Sequence, residues 1–318
     1  MAHVLVTGGG GFIGSNLVEG LLREGHEVRV LDNFTTGNRS NLAAVADDIE
    51  LVEGDMQSYE RAHSAVKGIE IVLHQAAMPS VPRSIQDPLT SNASNVIGTL
   101  NVMLAARDSG VRRVVFASSS SVYGATPDLP KHEKLPTLPI SPYAVAKLAG
   151  EGYCRSFHHV YGLETVALRY FNVFGPRQDP NSQYAAVVPN FIQAALAGVA
   201  PVVYGDGEQT RDFTYVDNVV TANLLAMEAE NAAGMAMNVA CGERVSLNRL
   251  LQTIGELTGS TVAPTYHEPR IGDVLHSLAD ISLAGAILGY RPGTQLREGL
   301  ERTIEHFERL DAERTRRV

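Results

Sequence analysis

Short runs of β-branched and other apolar residues recur along the first half of the chain, and amphipathic helical patterns separate most of them. Runs that are apolar at nearly every position indicate strands buried on both faces, and helices between them indicate parallel strands. The pattern therefore predicts a doubly wound α/β fold, with a parallel sheet covered by helices on both faces. The six predicted strands are HVLVT from His3, EVRVLD from Glu27, IELVEGD from Ile49, IEIVLHQAA from Ile69, RRVVFASS from Arg112 and ETVALRYF from Glu164.

The first predicted strand leads into a glycine-rich turn, TGGGGFIG. Gly8, Gly11 and Gly14 have a G-x-x-G-x-x-G spacing between a strand and a helix, which lets the backbone approach a pyrophosphate at the helix N-terminus. Asp32 ends the second strand about 20 residues on, where a dinucleotide site needs an acid. Its carboxylate suits a ribose diol and repels a 2′-phosphate, which favours NAD over NADP; alternatively, it caps the next turn. Asp55, after the third strand, is a candidate acceptor for the adenine amino group.

The segment SPYAVAK places Tyr143 four residues before Lys147, where Pro142 is expected to open a helix. At this spacing both side chains lie on one helix face and can act on a single point. A nearby ammonium, together with a positively charged nicotinamide ring, is expected to lower the tyrosine pKa from its usual ~10 towards the working pH.

Size and charge exclude several classes of function. A chain of 318 residues and 34.2 kDa, 44% hydrophobic, suffices for one large or two ordinary domains. A net charge of -9 argues against nucleic acid or an anionic membrane as partner. Cys154 and Cys241 are far apart and outside metal-ligand spacing, so neither a disulfide framework nor a metal site is expected. With no apolar stretch near the ~20 residues of a membrane span, and no signal-peptide pattern, we expect a cytoplasmic protein.

The alternation of strands and helices breaks after about Gly175. The stretches PRQDPNSQYAAVVP and YGDGEQTRDF are loop-rich, and only short helices are expected between them. We predict an NAD-binding Rossmann domain over residues 1–171. A smaller, mainly substrate-binding domain is predicted over residues 172–318, with some segments returning to the first domain.

The chain resembles the extended short-chain dehydrogenases/reductases, and within them the nucleotide-sugar 4-epimerases. The resemblance covers essentially the whole length. The motifs that carry it, in family order, are TGGGGFIG, LDN, EGDM, HQAA, ASSSSVYG, SPYAVAK, RYFNVFGPRQDP, RDFTYVDNV and PRIGDVLHSLAD.

The resemblance implies a Ser–Tyr–Lys catalytic set. Ser119 is chosen because the family's catalytic hydroxyl stands four residues before the tyrosine of the VYG motif, here Tyr123. Tyr143, directly or through Ser119, is expected to remove the sugar 4-OH proton, while Lys147 holds the nicotinamide ribose. Oxidation at C4 gives a transient 4-keto sugar, and reduction from its other face inverts C4, so NAD must stay bound throughout turnover.

The resemblance also implies residues that bind the UDP-sugar and the cofactor. Arg211 and Arg270 match the arginines that bind the diphosphate, a role that suits the guanidinium geometry. Asp273 matches the acceptor for the uridine ribose, and Tyr204 the aromatic ring that stacks on uracil. The complete substrate set is Ser119, Ser120, Tyr143, Asn172, Val188, Tyr204, Arg211, Arg270, Asp273 and Ser277. The cofactor set is Gly8, Gly11, Phe12, Ile13, Gly14, Asp32, Asn33, Asp55, Met56, Gln75, Ala76, Ala77, Tyr143, Lys147 and Phe171.

Sugar selectivity is expected to depend on Ser277. In the family this position, seven residues after the arginine of R-x-G-D, forms one wall beside the sugar: a tyrosine restricts the site to plain hexoses, and a small residue admits a 2-acetamido group. Ser277 also begins an S-x-x-D pattern with Asp280, which is typical of a helix N-cap. We therefore expect UDP-N-acetylglucosamine and UDP-N-acetylgalactosamine as the main pair, with UDP-glucose and UDP-galactose as a second.

Related activities on the same scaffold are less compatible with the residues present. Sugar 4,6-dehydratases need an Asp–Glu pair after the catalytic hydroxyl, and UDP-xylose synthases keep a Glu at the second position; here both positions are serine, Ser120 and Ser121. UDP-glucuronate 4-epimerases remain the alternative, although they commonly carry Thr in place of Asn172. A non-catalytic NAD-sensing regulator is a further alternative, but such proteins typically lose the Tyr or Lys.

Two further expectations come from the resemblance. Some UDP-galactose epimerases carry a lysine after H-x-A-G-L, where this chain has Met78 and Pro79, so that cofactor contact is missing or replaced. The family also implies a homodimer through a helix bundle that includes the segment from Asn95 to Ala106, whose apolar face can equally belong to the core.

Overall fold

A parallel sheet of seven strands forms the centre of the protein, as seen in a computed structural model of the chain. The structure describes residues 1–124, 126–179, 186–268 and 275–316, with side chains to residue 312. The strand order is β11-β6-β5-β4-β1-β2-β3, and every neighbouring pair is parallel. The predicted doubly wound parallel fold is therefore confirmed.

The strands have the following bounds. They are β1 His3–Thr7, β2 Glu27–Asp32, β3 Ile49–Glu53, β4 Ile71–His74, β5 Arg113–Ser119, β6 Glu164–Tyr170, β7 Val173–Phe174, β8 Val202–Tyr204, β9 Thr210–Arg211, β10 Thr214–Tyr215, β11 Met235–Val239, β12 Val245–Ser246 and β13 Thr265–His267.

The α-helices are α1 Phe12–Arg23, α2 Tyr59–Val66, α3 Val81–Gln86, α4 Pro88–Asn92, α5 Gly98–Asp108, α6 Pro142–Tyr161, α7 Val187–Ala197, α8 Val216–Glu228, α9 Leu247–Thr258, α10 Ser282–Leu288 and α11 Leu296–Arg316. Two 3₁₀ segments span Arg39–Asp48 and Ser120–Tyr123, and a π turn over Ala93–Ile97 joins α4 to α5.

All six strands expected from the apolar runs are present, as β1 to β6. Successive side chains of a strand point to opposite faces of the sheet. Val4 and Val6 accordingly join one large core cluster, while Leu5 joins a second cluster on the other face. Burial on both faces is the physical reason that these strands are apolar at nearly every position.

The order of the strands locates the binding crevice. From β1 the chain runs outward to β2 and β3, and it then crosses back to β4 on the other side of β1. In open sheets of this kind, ligands bind outside the carboxyl ends of the strands at such a reversal. The ends of β1 and β4, at Thr7 and His74, therefore define one wall of the site.

The second half of the chain is more helical than its sequence pattern indicates. Helix α7, of 11 residues, lies between the two loop-rich stretches, and further helices follow them. Helices α8, α9 and α11 have 13, 12 and 21 residues. Leu300, Ile304 and Phe307 place an apolar stripe of α11 in a third core cluster. This stripe was missed because charged residues dominate the surrounding sequence.

Strand β11 returns to the central sheet beside β6, and α8 packs against α1. The boundary between residues 171 and 172 stays a prediction. Among the residues that the structure describes, no helix combines the length and the apolar character needed to cross a membrane.

Candidate active site

The glycine turn between β1 and α1 leaves no space for side chains at two positions. Gly8 has a φ of +72°, and a Cβ there would lie 2.7 Å from the backbone of Ala76. A Cβ on Gly14 would lie 2.0 Å from the carbonyl oxygen of Gly8. Gly11 is the N-cap residue of α1, and no side chain covers that end of the helix with a capping hydrogen bond. The helix therefore presents free backbone N–H groups over a turn that a phosphate can approach closely.

Asp32 fixes the mouth of this turn. One carboxylate oxygen accepts a hydrogen bond from Gly10 N at 2.8 Å, and the other accepts from Phe34 N at 2.7 Å. Asp32 was expected either to bind the ribose diol or to cap the next turn. The two roles are compatible, because the carboxylate caps the following turn and also lies at the carboxyl end of β2. A carboxylate has about four lone-pair sites, so each oxygen retains capacity for a ribose hydroxyl.

Asp55 and Asn33 lie together beyond the ends of β2 and β3. Asn33 Nδ2 donates to Asp55 Oδ2 at 2.9 Å, and Gln57 N donates to Asp55 Oδ1 at 2.8 Å. Asn33 and Asp55 lie beside Asp32, because Gly54 N donates to the Asp32 carbonyl oxygen. A residue that binds adenine is expected next to the one that binds the ribose.

The catalytic candidates meet where β5 ends and α6 begins. Ser119 is the last residue of β5, and Tyr143 and Lys147 lie in the first two turns of α6. Ser141 caps this helix by accepting from Ala144 N at 3.2 Å, and Pro142 occupies its first turn. The Tyr143 hydroxyl is hydrogen-bonded to the Ser119 side chain. The structure therefore brings together the three residues that the sequence predicted.

The electrostatics of this group differ from the sequence argument. Burial raises the pKa of Tyr143 to about 12, while the hydrogen bond with Ser119 lowers it. Burial also lowers the pKa of Lys147 to about 8. The Lys147 ammonium is directed at the Ala117 carbonyl oxygen, 2.7 Å away, rather than at the Tyr143 hydroxyl. The expected lowering of the tyrosine pKa by Lys147 is therefore not produced by these contacts.

A buried ion pair that was not predicted from the sequence supports the end of β5, where the candidate Ser119 lies. Glu151, one turn beyond Lys147, forms a bidentate salt bridge with Arg169. Nε of Arg169 donates to Oε1 of Glu151 at 2.8 Å, and Nη2 donates to Oε2 at 2.7 Å. Ser118, the neighbour of Ser119, donates to the same carboxylate at 2.5 Å. The signal was available, since Glu151 repeats the i, i+4 spacing from Lys147 and Arg169 interrupts an apolar strand.

Three further substrate candidates with described side chains, Asn172, Tyr204 and Arg211, follow β6 in the chain. Asn172 has a φ of +31°, and its side-chain amide donates to the Asp212 carbonyl at 3.3 Å. The guanidinium of Arg211 donates to the carbonyl oxygens of Thr210 and Leu275, at 3.0 and 3.1 Å. Tyr204 ends β8, and its ring centroid lies 5.9 Å from that of His267.

Asp212 ties together the loops of this region and was not a candidate. Its carboxylate accepts backbone hydrogen bonds from Cys241, Gly242 and Ala279 at 3.0 to 3.1 Å. Burial raises its pKa to about 6, although the backbone N–H donors act in the opposite direction.

Ser277 lies close to Arg211 but does not cap a helix. Its backbone N donates to the Thr210 carbonyl at 3.0 Å, which holds the segment against β9. Helix α10 begins only at Ser282, whose N–H bonds to Asp280 Oδ1. The N-cap interpretation of Ser277 is therefore wrong, because the S-x-x-D pattern falls in extended chain.

Of the remaining site candidates, two lie outside the described residues and two are buried. Arg270 and Asp273 lie outside the described residues. Phe171 and Val188 are buried, at 0% and 2% exposure, and the Phe171 ring packs beside Tyr123. This places Phe171 in the core behind the site, so its assignment to the cofactor stays a prediction.

A family model for the NAD-dependent epimerase/dehydratase family matches residues 4–240. The chain belongs to this family. It is 40% identical over 309 residues to the UDP-glucose 4-epimerase of Mycolicibacterium smegmatis, covering 96% of this chain and 98% of that protein.

Two solved structures with similar folds carry different ligands. The UDP-N-acetylglucosamine 4-epimerase of Methanobrevibacter ruminantium M1, in complex with UDP-N-acetylmuramic acid, has a TM-score of 0.93 and 41% identity, with 97% of this chain and 99% of that chain covered. The UDP-glucuronic acid 4-epimerase of Bacillus cereus, in complex with UDP-glucuronic acid and NAD, has a TM-score of 0.90 and 30% identity over the same shares.

The residues present fit NAD, the cofactor of this family. The Gly8 and Gly14 positions exclude side chains from the turn, α1 offers free N–H groups, and Asp32 closes the ribose end with a carboxylate. The prediction of NAD as the cofactor is confirmed.

Proposed function

We propose that this protein is an NAD-dependent 4-epimerase of UDP-hexoses. Its main reaction interconverts UDP-N-acetylglucosamine and UDP-N-acetylgalactosamine, and UDP-glucose and UDP-galactose form a second pair. The observation that carries the proposal is the Ser119–Tyr143–Lys147 group at the carboxyl end of the sheet, with serine rather than an acid at positions 120 and 121. Dehydration needs acids at those positions to eliminate water, whereas epimerisation at C4 does not.

Each catalytic residue has a defined task. Tyr143 takes the proton of the sugar 4-OH and later returns it, and Ser119 relays or orients that proton through its hydrogen bond with Tyr143. Lys147, anchored on the Ala117 carbonyl, places a cation beside the Tyr143 ring and can donate to the nicotinamide ribose. When bound, NAD supplies the reversible oxidant for C4 and a positive ring that lowers the pKa of Tyr143.

The substrate must be held by its nucleotide and left free to turn at its sugar. Arg211 lies beside the Ser277 segment, at the edge of the site where a diphosphate can be bound. Arg270 and Asp273 complete the proposed UDP site, and Tyr204 provides the ring that stacks on uracil. Ser277 leaves room for a 2-acetamido group, because its hydroxymethyl side chain is far smaller than a tyrosine ring.

Epimerisation of UDP-glucuronate is the second candidate. The run Ser118–Ser121 is compatible with it, and the Bacillus cereus enzyme shares the fold over almost the whole chain. Asn172 is the residue that argues against it, since threonine is common there in that group.

We also propose that the protein forms a homodimer through α4, α5 and α6. Leu89 on α4 is 82% exposed, and Val145 on α6 is 53% exposed. Ile97, in the π turn before α5, is 45% exposed, whereas Asn95 and Ala106 are buried. A second copy would cover the exposed apolar residues and leave the opposite side of α5 in the core.

The test is incubation of the purified protein, without added cofactor, with UDP-N-acetylglucosamine, UDP-glucose and UDP-glucuronate in separate reactions. Proton NMR resolves the configuration at C4. We expect the galacto product from the first two sugars, more rapidly from the acetamido sugar. Turnover of UDP-glucuronate alone would establish the second candidate instead.

A further inference from the structure

His74 is a fully buried histidine at the carboxyl end of β4 that the proposed chemistry does not use. Both ring nitrogens have partners. Nδ1 lies 2.7 Å from the hydroxyl oxygen of Thr7, the last residue of β1, and Nε2 lies 3.0 Å from the hydroxyl oxygen of Thr99 in α5. The ring therefore connects the end of β1 at the crevice to helix α5.

The partners of Thr99 determine which ring nitrogen carries the proton. A hydroxyl has one hydrogen, and Thr99 donates it to the Asn95 carbonyl oxygen at 2.7 Å. Thr99 can therefore only accept from His74, so Nε2 must carry a hydrogen.

The other side of the ring agrees with this assignment. Ala76 N donates to the Thr7 hydroxyl oxygen at 3.2 Å, which leaves the Thr7 hydrogen to be donated to Nδ1 of His74. All four hydrogen bonds then run in one direction, from Ala76 N–H through Thr7, His74 and Thr99 to the Asn95 carbonyl. A neutral ring with its hydrogen on Nε2 satisfies every member of this chain.

This hydrogen-bonded chain fixes residues 75–78, of which Gln75, Ala76 and Ala77 belong to the predicted cofactor set. Ala76 is bound at one end through Thr7, directly before the glycine turn. At the other end, the Asn95 amide holds both the N–H and the carbonyl of Met78, at 2.6 and 3.0 Å. A shift of His74 would move residues 75–78 relative to Gly8. The two backbones are already in close contact there, since a Cβ added to Gly8 would lie 2.7 Å from the Ala76 backbone.

We propose that His74 is a positioning residue for NAD, which as a neutral Nε2–H ring holds residues 75–78 in register with the glycine turn. The inference rests on the proposed function only in taking those residues as part of the cofactor site.

The surroundings keep the ring neutral. Burial and the positive charge of Lys147 lower the pKa of His74 to about 3. The Phe116 ring, which lies 5.7 Å from the His74 ring and 5.1 Å from the Lys147 ammonium, packs between β5 and α6. A cationic His74 ring beside Lys147 would be hydrogen-bonded only to the hydroxyls of Thr7 and Thr99 and not to a carboxylate, so the neutral ring also avoids repelling the Lys147 ammonium.

The first measurement is NMR of the NAD-loaded protein with ¹⁵N-labelled histidine. We expect the His74 ring to show a protonated Nε2 and an unprotonated Nδ1, unchanged from pH 5 to pH 9. A protonated Nδ1 with a bare Nε2, a cationic ring, or titration in this range would overturn the proposal.

The second measurement compares two threonines that differ in one contact. Thr99 and Thr303 are each 1% exposed, and each donates to the carbonyl four residues earlier, at 2.7 and 2.6 Å. Of the two, Thr99 is the one that accepts from His74. Thr99→Val and Thr303→Val thus remove the same helix contact, but only the first leaves the buried Nε2–H without its acceptor.

We expect NAD to leave Thr99→Val about tenfold faster than it leaves the parent, because an unsatisfied buried donor is costly. Thr303→Val and the rescue variant Thr99→Ser should stay within about twofold. If NAD release were accelerated equally in both valine variants, or if Thr99→Ser did not restore NAD retention, Thr99 and His74 would contribute only to packing and not to cofactor positioning. NAD release needs no sugar, so these results stand even if no UDP-sugar is epimerised, and that failure would count against the proposed function alone.

Discussion

Tyr143 and Lys147 lie one turn apart at the start of α6, with the Lys147 ammonium 5.8 Å from the centroid of the Tyr143 ring. The ammonium donates to the Ala117 carbonyl on β5 instead of to the tyrosine hydroxyl, which is paired with Ser119. The lysine is thus held by the sheet, and the tyrosine is left free to exchange its proton with a substrate.

Replacing Tyr143 with Phe should leave the fold and NAD retention intact and remove most of the epimerase activity. Phenylalanine keeps the ring and removes only the hydroxyl that takes the proton, and acid/base catalysis is worth about 10²–10⁴-fold in rate. The control is Tyr153→Phe, which makes the same change on the same helix, where the ring packs edge-on against Phe157. Steady-state kinetics of both variants test this, and activity of Tyr143→Phe within about threefold of the parent would refute the assignment.

The rate should fall on the alkaline side as Lys147 loses its proton. Burial lowers the pKa of Lys147 from 10.5 to about 8, so the cation is present below about pH 8 and is lost above it. Between these two values the unfolded chain binds more protons than the folded one, so this group makes the fold more stable as pH rises. A fall in kcat/KM above about pH 8, without a fall in Tm that follows it, is therefore expected. An alkaline limb centred at pH 10 or above would contradict this account.

Denatured protein should release NAD and not NADP, in proportion to the amount of protein. Both oxygens of Asp32 are held at the mouth of the glycine turn by backbone N–H groups, which fixes a negative charge where a 2′-phosphate would lie. Enzymatic assay of the released nucleotide measures the ratio. Epimerisation that depends strictly on added NADP would show that the charge of Asp32 does not select the cofactor.

Ser277→Tyr should make the enzyme select against the acetamido sugar. A tyrosine fills the space that the serine leaves, and overpacking typically costs ~1–3 kcal/mol, where each 1.4 kcal/mol is about tenfold. We expect kcat/KM to fall roughly 10- to 100-fold for UDP-N-acetylglucosamine, with little change for UDP-glucose. Ser282→Tyr, at an exposed position five residues on, is the control and should change neither value. Equal losses of kcat/KM for both sugars would show that Ser277 does not determine which sugar the site accepts.

The sheet and the placement of Tyr143 and Lys147 on one helix face could be predicted from sequence because their signals are local. Apolar runs marked β1 to β6, and the spacing of Tyr143 and Lys147 put both side chains on one helix face whatever the tertiary structure. Contacts between distant segments have no such signal. Asp212 accepts from Cys241 and Ala279, and the His74 ring links Thr7 to Thr99; each of these depends on loops that only the complete fold brings together.

The prediction that Ser277 caps a helix was wrong for a related reason. A capping pattern predicts a helix only where the following residues can form one, and here β9 holds the backbone of Ser277 as extended chain through the Thr210 carbonyl. Likewise, the pKa of Tyr143 depends on burial and on the direction of the Lys147 ammonium, neither of which the i, i+4 spacing specifies.

The central claim, inversion at C4 by NAD that never leaves the protein, is tested most directly with UDP-N-acetylglucosamine carrying deuterium at C4. The purified protein is incubated with this sugar in ordinary water without added cofactor, and the products are followed by NMR and mass spectrometry. The account predicts an equilibrium mixture of the gluco and galacto isomers, both with deuterium still at C4. Unchanged substrate, or a galacto product that has exchanged its deuterium for solvent hydrogen, would contradict it.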